Sequence, residues 1–214
     1  MLTVYGRKTS SNVQAVMWGT GELALAANRL DYGEVYGGTD TQTFRARNPH
    51  GKIPVLVTQT GQALFETAAI LRYLAGLHGS DSFWPADPLA RAQVDMWADW
   101  AKNDVARNFT GPIFWRNTRT APERRDTAAI SAALDVFEAE LSIAEARLAD
   151  HAFLCGPDFT LADVMFGHVL SRYFDTDLPR RPLPQAQAYY NRLTKRRAFQ
   201  DHVMVSYDAL RNTF

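Results

Sequence analysis

The sequence predicts an α+β fold: a βαβ-ββα unit joined to an all-helical remainder. Short apolar runs broken by turn residues are confined to the stretch before position 80. A proline-interrupted segment, Ser80 to Pro88, bars a continuous helix there. Beyond it apolar residues recur at three- and four-residue steps, and no convincing strand pattern follows. The expected division is residues 1–80, a linker at 81–88 and a helical domain at 89–214.

Taken in order, Leu2-Thr3-Val4-Tyr5 reads as a strand, ended by Gly6 and the polar loop Arg7 to Asn12. Val13, Val16, Met17, Leu23, Leu25, Ala26 and Leu30 then carry a helical period, which Gly19 and Gly21 weaken without abolishing. A second strand is expected near Tyr32 to Tyr36. Pro54 to Thr58 and Ala63 to Phe65 flank the turn-like Gln59-Thr60-Gly61-Gln62 and read as a hairpin. Thr67 to His78 is helical, with Ile70, Leu71, Leu74 and Leu77 on one side and Gly79 as its stop. Past the linker, helices are expected over Ala90 to Phe109, Pro122 to Asp150, Leu161 to Tyr173 and Pro184 to Arg196, with a last piece near Phe199 to Leu210. There is no internal repeat and no low-complexity tract.

With 214 residues, 46% of them apolar, the chain can bury a full core. Its 23 Lys and Arg balance its 23 Asp and Glu, so no global field recruits nucleic acid or a membrane surface, and a small-molecule partner is expected. The single cysteine, Cys155, excludes an internal disulfide framework and points to a reducing compartment. The first residues enter an apolar strand directly, and no run of about 18 apolar residues occurs. A soluble cytoplasmic protein is expected. The histidines lack metal-ligand spacing, so no metal is expected, and no Gly-rich phosphate loop is present. Arg192-Leu-Thr-Lys195-Arg196-Arg197 lacks the interleaved aromatics of a nucleic-acid surface and reads as a solvated helix end.

The chemistry concentrates in two places. In Asn48-Pro49-His50-Gly51-Lys52-Ile53-Pro54, a cis bond before Pro54 turns the Ile53 N–H and C=O out of the sheet, toward a ligand that adds to its edge. Twelve residues on, Glu66-Thr67 opens a helix whose first amides are unpaired and favour an anion, and Thr67 adds a hydroxyl donor. Together they form a backbone clamp for a small anionic peptide. Phe159-Thr160-Leu161-Ala162-Asp163 has a different role: it is a capping box that nucleates a buried helix and serves folding rather than catalysis.

These elements, in this order and at these distances, resemble the cytosolic glutathione transferases over essentially the whole chain, with the serine-type theta, zeta and nu classes as the nearest pattern. The resemblance implies a thioredoxin-like N-terminal domain packed on an all-α C-terminal domain, glutathione as co-substrate without a metal, and a homodimer. It implies that Lys52, Ile53, Pro54, Glu66 and Thr67 bind glutathione, and that a donor in the Arg7–Asn12 loop stabilises the thiolate. Sliding the loop onto the serine-type classes puts Ser10 at the catalytic hydroxyl and Asn12 at a second donor, with Ser11 as the alternative to Ser10. Tyr5, a strand residue, is not read as the catalytic tyrosine of other classes. Lys52 either reaches the glycine carboxylate or is a solvated turn lysine; His50 is its neighbour. Asp99 is either a helix acid or a partner for the glutathione amino group across a dimer interface.

The implied reaction is thiolate attack on a small apolar electrophile, as in detoxification, with Phe109, Phe114, Trp115 and Tyr173 as either pocket walls or core. Two rivals stand beside it. One is other glutathione chemistry on the same fold, such as peroxide reduction, isomerisation or dehalogenation. The other is a non-catalytic binding protein.

Overall fold

A computed structural model describes all residues, Met1 to Phe214. Four strands form one mixed sheet in the order β2-β1-β3-β4: β1 (Leu2–Tyr5), β2 (Ala27–Leu30), β3 (Val55–Val57) and β4 (Ala63–Phe65). β1 pairs with β2 in parallel and with β3 antiparallel, Val4 facing Leu56, while β3 and β4 form the expected hairpin. Leu2, Val4 and Leu56 bury against Val13, Val16 and Met17 of α1 (Ser11–Glu22) and Ile70 and Leu74 of α3 (Thr67–His78). This is the βαβ-ββα unit, with a short α2 (Gln42–Arg45) in its central connection.

Two expectations fail in that connection. The first helix ends at Glu22, not near Leu30, because Ala24 turns into the left-handed region at φ 53°. The second strand is Ala27–Leu30, and the stretch expected as strand holds a single 3₁₀ turn, Glu34–Tyr36. β2 is an edge strand with no residue fully buried, so its ANRL sequence carries no alternating apolar signal.

The helical part begins with α4 (Pro88–Trp100), capped by Asp87, whose side chain accepts from the Ala90 amide at 2.8 Å. The chain does not stop at Phe109. It runs on through a π-helical turn (Ala101–Val105), α5 (Ala106–Phe109) and a second π-helical stretch (Thr110–Arg119). Pro112 lies in the second stretch and has no N–H to donate to a regular α-ladder. α6 (Thr127–Leu148), α7 (Leu161–Asp175), α8 (Pro184–Leu193) and α9 (Arg197–His202) complete the fold. No helix is long and apolar enough to cross a membrane.

α7 is the central pillar, buried at every residue from Leu161 to Tyr173. Its capping box is present: the Thr160 amide donates to Asp163 Oδ2 at 2.8 Å. Asp163 also accepts from the Leu154 amide (3.0 Å) and the Tyr189 hydroxyl (2.8 Å), so the cap ties α7 to α8 as well. Trp18 of α1 joins the two parts, its ring centroid 5.6 Å from that of Phe159 and 4.7 Å from that of Phe199. Gly167 makes room for it: a Cβ there would lie 2.8 Å from Trp18 Cη2.

The basic run is only in part the solvated helix end expected: Lys195 and Arg197 are exposed, but two of its arginines are held by the fold. Arg196 pairs with both oxygens of Glu22 at 2.8 and 2.6 Å and stacks 3.7 Å over the Phe159 ring, while Arg192 donates to the Ala152 carbonyl. Folding brings Glu22 to Arg196 from 174 positions away, so the local sequence carries no sign of the pair. Cys155 fits its expected packing role, since burial pushes its thiol pKa up to about 11.

His168 sits fully buried on α7, and burial pulls its pKa down to about 3. The folded state therefore keeps it neutral while the unfolded chain protonates it below about pH 6.5, so its contribution to stability is lost as pH falls. Between pH 7 and 5 the expected loss from this group is about 2 kcal/mol. Urea unfolding across that range should show it, and His168→Gln should remove most of the slope. A slope unchanged by the substitution would assign the proton uptake elsewhere.

Candidate active site

Ser10 occupies the N-cap of α1 in extended conformation (φ −80°, ψ 120°), yet its hydroxyl makes no capping bond. The first bond of the helix runs from the Gln14 amide to the Ser10 carbonyl at 2.9 Å. The amides of Ser11, Asn12 and Val13 therefore have no intrahelical acceptor, as at any helix start. Asn12 Oδ1 accepts from Lys102 Nζ at 2.7 Å. Because a lysine only donates, the oxygen must face it, which leaves the Asn12 NH₂ as the free donor. A hydroxyl, an amide NH₂ and the positive end of the helix dipole thus belong to three consecutive residues that line one cavity, an arrangement suited to an anion.

The second element is the Asn48–Pro54 loop. The Ile53-Pro54 bond is cis, as the sequence predicts. Buried Asn48 braces the loop: its Nδ2 donates to the Lys52 carbonyl at 2.8 Å, and its Oδ1 accepts from the His50 amide at 3.0 Å. At the start of α3, Glu66 is held at φ 67°, a conformation costly for a residue with a side chain. Thr67 follows, a buried residue whose hydroxyl has no partner within the protein.

A cavity of about 400 Å³ opens between the two parts of the molecule. Ser10, Ser11, Asn12 and Lys52 line it from the sheet-bearing part, and the π-helical segments supply Lys102, Thr110, Trp115 and Arg119. Glu66 lies within electrostatic reach of Lys102, whose pKa burial lowers and Glu66 raises in part. The overall architecture has known counterparts.

Residues 4–82 match the glutathione S-transferase N-terminal domain family and residues 127–192 the glutathione S-transferase C-terminal domain family. The chain is 33% identical over 206 residues to glutathione S-transferase GstB of Escherichia coli strain K12, covering 96% of this chain and 99% of that one. The chain belongs to the glutathione S-transferase family. Among solved structures, the theta class glutathione S-transferase of Xanthomonas axonopodis pv. citri with glutathione bound is 36% identical, with a TM-score of 0.90 over 96% of this chain and 98% of that one. A partial match, 27% identical over 65% of this chain and 34% of the other, is to probable elongation factor 1-gamma 1 of Arabidopsis thaliana.

In this transferase the cavity gathers Ser10, Ser11, Asn12 and Lys52, while Ile53, Pro54, Glu66 and Thr67 are not among its lining residues. Tyr5 packs away from it, in edge contact with Tyr32 and beneath Arg47. His50 packs its ring against Phe65. Asp99 accepts from Arg72 Nη2 at 2.6 Å, beside a second pair from Arg72 Nε to Asp95 at 2.7 Å, so within one chain it is an ion-paired helix acid.

The four aromatics divide between the two roles expected of them, core and pocket wall. Phe109, Phe114 and Tyr173 are fully buried in the helical core, and only Trp115 of the four reaches the cavity. Sequence reasoning missed Lys102, Arg107, Arg119 and Arg172, all of which line it. The first three stand on or beside π-helical turns, where a 3.6-residue period no longer tells which side chains share a face. Arg172 did leave a signal: with His168 four positions before it, it is a basic residue inside a helix that is mostly apolar from Leu161 to Tyr173.

Proposed function

We propose that this transferase holds glutathione along Lys52, Ile53 and Pro54 and at the Glu66-Thr67 start of α3, and ionises its thiol at the start of α1 for attack on a small electrophile. The observation that carries this reading is the Ser10 hydroxyl, which stands at an N-cap but caps nothing. A serine present only to start the helix would give its oxygen to the N2 or N3 amide. Free, it can donate to a sulfur anion, with the Asn12 NH₂ and unpaired amides beside it. Ser11 lines the same cavity and is the alternative hydroxyl.

Glutathione carries two carboxylates. The unpaired amides of α3 and the free Thr67 hydroxyl suit the one on its γ-glutamyl end, and Lys52 suits the glycine carboxylate. Thr67→Ala should weaken glutathione binding by roughly 1 to 3 kcal/mol, the range for a lost hydrogen bond to a charged group. Titration calorimetry reads this directly, and unchanged affinity would remove Thr67 from the site.

The same reading takes the protein as a cytoplasmic homodimer that removes reactive compounds. Support for the dimer is the apolar surface on adjacent helices: α3 exposes Tyr73 and Leu77, and α4 exposes Leu89 and Met96. Sedimentation of the purified chain decides it. The partial likeness to an elongation factor subunit favours one second reading, a glutathione-transferase fold used for binding alone. Absence of a thiolate absorbance when glutathione is added near neutral pH would favour that reading.

A further inference from the structure

The cavity beside Ser10 is far more cationic than a glutathione thiolate requires. Six of its fourteen lining residues are Arg7, Lys52, Lys102, Arg107, Arg119 and Arg172, and none is an acid. The carboxylate in contact with this group is Glu34, which pairs with Arg7 Nε at 2.8 Å and Arg119 Nη1 at 2.6 Å. The Arg7 contact is close but off-line, so its N–H has no aligned acceptor. Bound glutathione as thiolate adds a net charge of about −2. With Glu34 and Glu66, which acts on Lys102, both counted, an excess of about two positive charges remains around the cavity.

Two of the cations are left over in a stronger sense. Arg172 is only 5% exposed, has no carboxylate partner, and spends one N–H on the Thr9 carbonyl at 2.5 Å while its Nε is unpaired. It lies 4.4 Å over the Phe114 ring. Burial lowers its pKa to about 10, so it remains a cation at neutral pH. A buried, unpaired guanidinium costs free energy unless something else uses it. Arg107, on the helical side of the same cavity, is exposed and makes no ion pair or side-chain hydrogen bond. Apolar wall is sparse by comparison: Ala106, Trp115 and Leu210.

We infer that the second substrate is a small organic anion, an electrophile carrying a carboxylate or equivalent acid group that Arg172 and Arg107 hold beside the reacting carbon. The inference rests on the glutathione reading and names the substrate class for the same site. In the step it implies, the thiol proton goes to solvent, the sulfur lone pair forms the C–S bond, and the leaving group departs with the electrons of the bond it breaks. Guanidinium–carboxylate pairing in a recessed site supplies both orientation and a high local concentration of anions.

The test compares two preformed conjugates of glutathione with a dinitrophenyl ring, one bearing a carboxylate para to sulfur and the other the matching carboxamide. Calorimetry on the full-length protein measures both, and glutathione alone. The carboxylate conjugate is expected to bind at least about tenfold more tightly than the carboxamide, a gap of ~1.4 kcal/mol. That ratio should shrink toward one in Arg107→Gln, an exposed change that threatens folding little, and should fall with added salt. Arg172→Lys, which keeps the charge but loses the fork, should reduce it partly. If glutathione binds and the two conjugates bind equally, or the carboxamide more tightly, the inference is overturned and the glutathione reading stands. If neither glutathione nor either conjugate binds, both fall together.

Discussion

Ser10→Ala is expected to raise the pKa of bound glutathione by about one to two units, because a hydrogen bond to a charged acceptor is worth roughly 1.5 to 3 kcal/mol. Near neutral pH that lowers the thiolate fraction, and with it the conjugation rate, by about ten- to a hundredfold. Glutathione affinity should hardly change, since the lost bond forms to the sulfur anion and barely to the neutral thiol. The pH dependence of conjugation and the thiolate absorbance measure the shift independently. Asn12→Ala should move the pKa in the same direction by less, its NH₂ being the second donor once Lys102 has fixed the amide. If Ser11→Ala produces the shift and Ser10→Ala does not, the active hydroxyl is one residue further along the helix. If neither does, the backbone amides and Asn12 carry the site.

The largest effect on stability is expected at Asp163. Its carboxyl is fully buried and sits above its ordinary pKa range, because burial outweighs the bonds from Leu154, Thr160 and Tyr189. Asp163→Ala strips the partner from two buried amides and a tyrosine hydroxyl at once. Each donor left unsatisfied costs about 1 to 3 kcal/mol, and the total for breaking such a buried cluster is on the order of 3 to 5 kcal/mol. Asp163→Asn, which keeps one acceptor oxygen, should lose less. Urea midpoints for the two variants check this, and a loss under about 1 kcal/mol for the alanine variant would falsify the view of Asp163 as the joint between α7 and α8.

What could be read from the sequence were features whose physics is local. The capping box at Thr160 and Asp163, the hairpin from Pro54 to Phe65 and the helix start at Thr67 each lie within a dozen residues, and each is present as read. The start of α1 at Ser10 and Ser11 was also legible, because a helix start next to a strand end exposes amides whatever surrounds it. Where local signals were weak the reading slipped: β2 is half-exposed and lacks alternation, and the first helix ends at Ala24, a left-handed alanine that propensity does not announce.

Tertiary structure alone decided the character of the pocket. Lys102 meets Asn12 across 90 positions, and Arg172 meets Thr9 across 163. No sequence window contains either pair, and the balanced charge of the whole chain hides six cations converging on one cavity. The π-helical turns between Ala101 and Arg119 choose which of those side chains face inward. A backbone motif is written in consecutive residues because its hydrogen bonds are short-range. A binding surface is not, because it is assembled from whatever the packing of α1, α5, α7 and the π-helical turns brings together.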